Sequence, residues 1–259
     1  MTTATRAPAS QPAATAAPAT TGGDTTAKPR RRAPWPVELY RSAVGKKYVM
    51  ALTGIAIMGF VFAHMVGNLK MYLGAAEYND YGEALRNLLV PIMPRTLVLW
   101  LERIGLIAAF ALHIHAAYSL TRMNHAARSV GYASKRDYVA ANYASRTMRW
   151  SGVIVGLYIV WHLFDLSWTG TGYSFHRGDV FGNVTTSLHR IPVGLLYVVA
   201  NIALGFHLFH GAWSLFQSMG WNNPRFNRWR RNFAAGFAAV VVLGNVSFPI
   251  LIMAGQVKP

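Results

Sequence analysis

Six of the nine histidines lie inside long apolar runs: His64 in the first, His113 and His115 in the second, His162 in the third, His207 and His210 in the fourth. An imidazole nitrogen is a good metal donor and a proton carrier. A polar group alone in hydrocarbon is costly, so each of these rings needs a partner. Depth follows from the helical rise: His64 lies about 21 Å beyond Met50 and His162 about 20 Å beyond Arg149. By the same measure His115 lies about 11 Å from Arg122, and His207 about 15 Å from Gln217. The spacing thus predicts an outer pair, His64 with His162, and an inner pair, His115 with His207.

Two layers of paired imidazoles, each pair drawn from separate helices, are what two bis-histidine haems stacked across a membrane require. Gly59, Gly67, Gly105, Gly152, Gly156, Gly205 and Gly211 would let a flat macrocycle approach backbone, although such glycines also serve close helix packing. His113 and His115 are two apart and point about 200° from each other, so both cannot face one cofactor. His207 and His210 share a helix face. His113 and His210 are read as further cofactor-site candidates: second donors, quinone contacts, alternative ligands or interhelical hydrogen bonds. His125, His176 and His189 fall at span ends or in loops and are expected in solvent.

The runs that must position these rings are five, at about 48–69, 96–120, 150–168, 191–216 and 233–254. Each reaches the roughly 17–25 residues needed to cross a bilayer. The expected fold is therefore all-α and polytopic, residues 35–259 forming five transmembrane helices of which the first four make a cofactor-binding bundle. Pro249 is expected to kink or fray the last span. A short helix at 77–89, ended by Pro91 and Pro94, is expected to lie on the membrane, and 169–190 reads as a loop. Trp35, Trp100, Trp150, Trp168 and Trp221 stand near span ends, as interfacial anchors do. Residues 1–34, rich in Ala, Thr and Pro, read as a disordered cytoplasmic tail rather than a transit peptide.

The composition agrees: 53% hydrophobic and 13% charged residues suit a membrane protein rather than a soluble domain. The net charge of +16 invites a nucleic-acid reading, but the basic residues are spread between spans. Eighteen of the 25 Lys and Arg fall on the side of the N-terminus and seven on the other. The positive-inside rule then places the N-terminus in the cytoplasm and the C-terminus outside. The chain has no cysteine, which excludes internal disulfides and thioether-linked haem.

Around the histidines the chain resembles the five-helix cytochrome b subunit, or membrane anchor, of bacterial succinate:quinone oxidoreductases and fumarate reductases (respiratory complex II). The resemblance rests on His64-Met65-Val66-Gly67-Asn68-Leu69, on the segment from His115 to Leu120, and on Trp161-His162-Leu163. It rests further on Phe206-His207 and the stretch from Gly211 to Gly220, and it covers about residues 36–256. It implies an inner-membrane anchor that docks a flavoprotein and an iron–sulfur subunit on its cytoplasmic face and passes succinate's electrons to menaquinone or ubiquinone. It also implies two b haems ligated by His64, His115, His162 and His207. His113 and His210 depart from that pattern. They leave a Rieske-type [2Fe–2S] centre, with cysteines lent by a partner subunit, as the alternative cofactor.

Quinone reduction consumes two electrons and two protons, so hydrogen-bond donors and a proton route are required. Ser42, Lys46, Tyr48 and Trp221 near the cytoplasmic face are candidates, as are the deeper carboxylates Asp165 and Glu102. For the carboxylates, pairing with Arg103 or Arg190 is the plain alternative. The cytoplasmic basic loops suit anionic lipid heads or acidic partner surfaces. Two rival functions are the cytochrome b of another quinone-linked dehydrogenase and a histidine-containing transporter or proton channel. The chain lacks the internal repeats common in transporters.

Overall fold

The computed structural model describes residues 33–127, 139–221 and 223–258, and for 139–146 the helical backbone alone. Most of the expected tail, residues 1–32, lies outside these, as do Arg128, Lys135 and Arg136 of the link between the second and third spans. The described residues form eight α-helices: α1 (Trp35–Arg41), α2 (Ala43–Asn68), α3 (Ala75–Arg86), α4 (Leu97–Ala126), α5 (Val139–Leu163), α6 (Val180–His189), α7 (Ile191–Ser218) and α8 (Asn227–Met253). α2 tightens into a 3₁₀ turn through Leu73, and α5 widens into a π turn at Phe164–Trp168.

Five segments are long and apolar enough to cross a membrane: Ala43–Leu73, Leu97–Ala126, Thr147–Trp168, Ile191–Ser218 and Pro224–Met253. The expected all-α, five-span architecture is what the chain adopts. The first span starts at Ala43, ahead of the expected 48, because a cap precedes it. Ser42 accepts a hydrogen bond from the Gly45 amide at 2.9 Å, a cap worth about 1 kcal/mol. Pro192 sits in the first turn of α7, where its missing amide costs nothing. α8 runs unbroken through Pro249 to Met253, so the expected fraying does not occur. Phe248, Pro249 and Ile252 are all buried, and that packing holds the last turns together.

α2 packs on α4, α5 on α7 and α7 on α8, and α2 also reaches α7 and α8. α4 has little contact with α5 or α7, so the bundle is loosely closed on that side. Small residues allow the tight approaches. A Cβ on Gly205 would run into Val242, and one on Gly244 into Met65. Gly67 is of the same kind, since its Cβ would press on the Tyr81 ring. Gly67 and Gly205 thus serve helix packing rather than room for a macrocycle.

The end of the bundle opposite α1 carries a cap that the sequence reading did not foresee. The expected loop 169–190 contains α6. Asp179 caps it by accepting from the Gly182 amide at 2.9 Å, and Phe181, Val184 and Leu188 line one face. α3 spans 75–86 rather than 77–89, and it folds against α6 instead of merely resting on the membrane. Asn79 fastens the two, donating to Asp179 at 3.2 Å and accepting from the Phe181 amide at 2.9 Å. Met71, Tyr78, Phe181, Val184, Leu188, Tyr197, Phe248 and Ile252 form a shared core under the cap. Burial pushes the Tyr78 phenol up to about 12, so it stays protonated and donates to Asn68 Oδ1 at 2.8 Å.

Glu83 ties α3 to the strap leading into α4, accepting from Arg95 at 2.6 Å and from Asn87 at 3.0 Å. Those hydrogen bonds, with the nearby Arg95 and Arg86 charges, hold its carboxyl below the usual range. A depressed carboxyl contributes above its unfolded pKa and is lost as pH falls through the folded one. Amide exchange over residues 87–96 should therefore stay slow down to about pH 4.3, the ordinary glutamate value, and rise only below it. Loosening at neutral pH would show that the tie does not hold the strap.

Candidate functional site

The rings converge in two layers. At the cap end, His64 of α2 and His162 of α5 lie with centroids 6.0 Å apart and planes at 85°. At the α1 end, His113 of α4 faces His207 of α7 at 6.5 Å and 69°. Gly54, level with the His113 ring, is ten residues from His64, so the layers are separated by about 15 Å along α2. The outer pair is the one the depth estimate grouped. The inner pair is not: His207 meets His113, while His115 leaves α4 on the other side and stacks on Tyr40 of α1 at 5.7 Å. Because they are two positions apart on one helix, only one of the two rings can turn inward. Rise along the axis, the basis of the depth estimate, carries no information about that rotation.

Three of the four paired rings have a settled tautomer. His113 Nδ1 lies 3.2 Å from the Met50 carbonyl, which can only accept, so Nδ1 carries the proton. His207 Nδ1 faces Ser151 Oγ at 3.4 Å, and that hydroxyl donates to the Met148 carbonyl at 3.1 Å. His162 Nδ1 faces the Tyr197 hydroxyl at 3.5 Å, and that hydroxyl donates to Asp165 at 2.8 Å. Each ring thus spends Nδ1–H on the protein and keeps Nε2 free as an electron-pair donor, as metal-ligating histidines do. His64 stacks on Phe60 at 5.4 Å. His210 differs, because its Nε2 is engaged by Thr147 at 3.3 Å. His125, His176 and His189 are exposed.

Gly152 makes space for one ring, since a Cβ there would stand 3.2 Å from His207, whereas one on Gly54 would make ordinary contact with His113 at 3.5 Å. Gly59, Gly105, Gly156 and Gly211 have open space where a Cβ would be. No three His, Cys, Asp or Glu side chains cluster as a metal site among the described residues. Two imidazoles at these separations would suit an ion that brings its remaining ligands with it. Bonds of about 2 Å from opposite sides leave ring centroids about 6.4 Å apart, whereas two rings at right angles on one ion stand about 4.5 Å apart. The observed 6.0 and 6.5 Å fall nearer the opposed arrangement.

The other candidate residues are dispersed. Asp165 is wholly buried and saturated. Its Oδ1 accepts from Thr171 and from Arg190 at 3.3 Å, and its Oδ2 accepts from Ser187 at 2.6 Å and Tyr197 at 2.8 Å. Arg190 also donates to the Thr171 carbonyl. The alternative of pairing with Arg190 is thus the one Asp165 takes. Glu102 is exposed, and Arg103 lies over the Trp100 ring. Ser42 caps α2, and Lys46 is buried, donating to the carbonyls of Tyr40 at 2.9 Å and Arg41 at 3.1 Å. Tyr48 is exposed. Trp221 belongs to a cleft of about 470 Å³ shared with Phe216, Phe226, Trp229 and Arg230. Tyr40, Tyr197, Ser151 and Ser187 were missed by sequence reading. Only contacts across helices mark them.

Residues 134–246 match the family model described as succinate dehydrogenase/fumarate reductase transmembrane subunit. Over that stretch the chain is similar to the family. The matched stretch, somewhat under half the chain, runs from the start of α5 into α8 and holds His162, His207, His210, Asp165 and Arg190. No curated protein and no solved structure gives a significant match. The family is one of membrane subunits of an oxidoreductase complex, and the five apolar spans make this chain a multi-pass membrane protein.

Removing one partner of a buried ion pair costs about 3–5 kcal/mol, because the other charge is left uncompensated. Asp165→Ala should therefore lower the melting temperature of the purified protein strongly. An unchanged melting temperature would mean that the network carries no stability.

Proposed function

We propose that this chain anchors a succinate dehydrogenase to the membrane and relays electrons to quinone through two haems b. His64 and His162 hold one haem, and His113 and His207 hold the other. The observation that carries this reading is the geometry of two opposed ring pairs, with free Nε2 atoms where the tautomer is settled and about 15 Å between layers. Haem iron supplies one-electron transfer when bound. The chain's own residues hold it from both sides, fix ring orientation through Nδ1–H, and keep water away with apolar helices. The ring separations favour this arrangement over a Rieske-type centre, in which two histidines would meet one iron at adjacent positions and stand closer together.

The family implies partners: a flavoprotein that oxidises succinate and an iron–sulfur subunit that feeds electrons into the membrane. We place them at the α1 end, on the cytoplasmic side of a bacterial inner membrane, since most of the basic residues lie there. The inner pair would then lie nearer those partners than the outer pair. For quinone, we place the contact where Tyr40, Lys46 and His115 meet. The Tyr40 hydroxyl is 2.5 Å from His115 Nδ1, and the Lys46 ammonium lies 5.1 Å from the Tyr40 ring. Whichever of the two accepts from the other keeps a proton of its own, His115 at Nε2 or Tyr40 at its hydroxyl, to donate to a quinone carbonyl and pass on. Asp165, at the other end and fully paired, is not assigned that task.

The test is a set of reduced-minus-oxidised spectra on the purified complex. His64→Ala or His162→Ala should remove one b-type α band and leave the other. His113→Ala or His207→Ala should do the reverse. His115→Ala should keep both bands and slow quinone reduction at least tenfold. A wild-type complex without b-type bands would end the haem reading. Loss of the inner band with His115→Ala, but not with His113→Ala, would return the ligand role to His115.

A further inference from the structure

We infer that Asp165, acting through the Tyr197 hydroxyl, positions the His162 ring and lowers the reduction potential of the outer redox centre. The inference rests on the proposed function and concerns this chain's side chains around one ligand. Tyr197 is 4% exposed, and its ring packs edge-on against Tyr158 at 5.2 Å and lies 5.9 Å from the His162 ring. Its hydroxyl has one proton, and that proton goes to Asp165 Oδ2 at 2.8 Å. The oxygen is left to accept from His162 Nδ1–H at 3.5 Å. The order is then carboxylate, phenol, imidazole, with every proton placed.

The carboxylate is also oriented. Arg190 meets Oδ1, while Tyr197 takes Oδ2. The negative side of the ion pair is therefore the one linked to the histidine, and the guanidinium stands on the side away from Tyr197. Arg190 is anchored to the Ser187 carbonyl at 3.2 Å and to the Thr171 carbonyl, so it does not swing across. A hydrogen-bonded anion behind a ligating imidazole makes the ring a stronger donor. A stronger donor favours the more positive, oxidised metal. His113 Nδ1 meets the Met50 carbonyl and the Thr53 hydroxyl, both at 3.2 Å, and His207 Nδ1 meets the Ser151 hydroxyl; among the described residues no carboxylate stands behind either ring. The two layers are thus built unequally, and the outer one is the harder to reduce.

The experiment is a redox titration of the intact complex, followed at the two b-type bands, for wild type, Tyr197→Phe and Asp165→Asn. Tyr197→Phe keeps the ring packing and removes only the hydroxyl. It should ease reduction of the outer centre about tenfold in equilibrium constant, about 59 mV for one electron, and leave the inner centre unmoved. Asp165→Asn should shift the outer centre in the same direction. A purely structural role would broaden or lose the band without an upward shift of the remaining centre. An outer potential unchanged in Tyr197→Phe overturns the inference while leaving the haem reading intact. Absence of an outer centre in wild type overturns both. If Asp165→Asn fails to assemble, Tyr197→Phe decides alone.

Discussion

Inside a bilayer no water is at hand to satisfy a polar side chain, so each one must be answered by the protein or by what the protein binds. That constraint orders this molecule. Asp165 is answered four times over, by Thr171, Ser187, Tyr197 and Arg190. Lys46 is answered by two backbone carbonyls. The inward imidazoles are answered at Nδ1 where a partner is present, and in His113, His162 and His207 the second nitrogen is kept available. Half-satisfied rings facing each other in pairs contrast with the saturated carboxylate nearby.

The cap of α3 and α6 follows from the same constraint. The link from α5 to α7 must cover Asp165 and the start of α7, and a bare loop would carry backbone groups needing partners of their own. α6 satisfies its backbone internally and buries Phe181, Val184 and Leu188 on the core that includes Tyr197. The cap therefore also fixes the phenol on which His162 rests. Packing far from the rings and the geometry of the rings are one arrangement.

Much of this was legible in the sequence. The five spans and the outer histidine pair came from length, hydropathy and helical rise, whereas the Ser42 cap and the Pro192 start were not read. Gly67 and Gly205 were legible as glycines but not as packing contacts, because their neighbours, Tyr81 and Val242, lie on other helices. α6 was missed because Gly, Ser and Thr in the link read as loop, although Asp179 before an apolar face was a usable start signal. The inner pair was drawn with the wrong member of α4, since rise along a helix says nothing of rotation about it. His115 and Tyr40 are far apart in the chain, and no spacing rule joins them.

That rotation has a consequence for traffic. His113 and His115 leave α4 on opposite sides, one toward His207 and one toward Tyr40. A carrier resting against Tyr40 and His115 would be separated from the inner rings by little more than one helix diameter, about 10 Å. It would need no tunnel into the protein. It could arrive from among the acyl tails, collect its charge through the wall of the bundle, and diffuse away sideways.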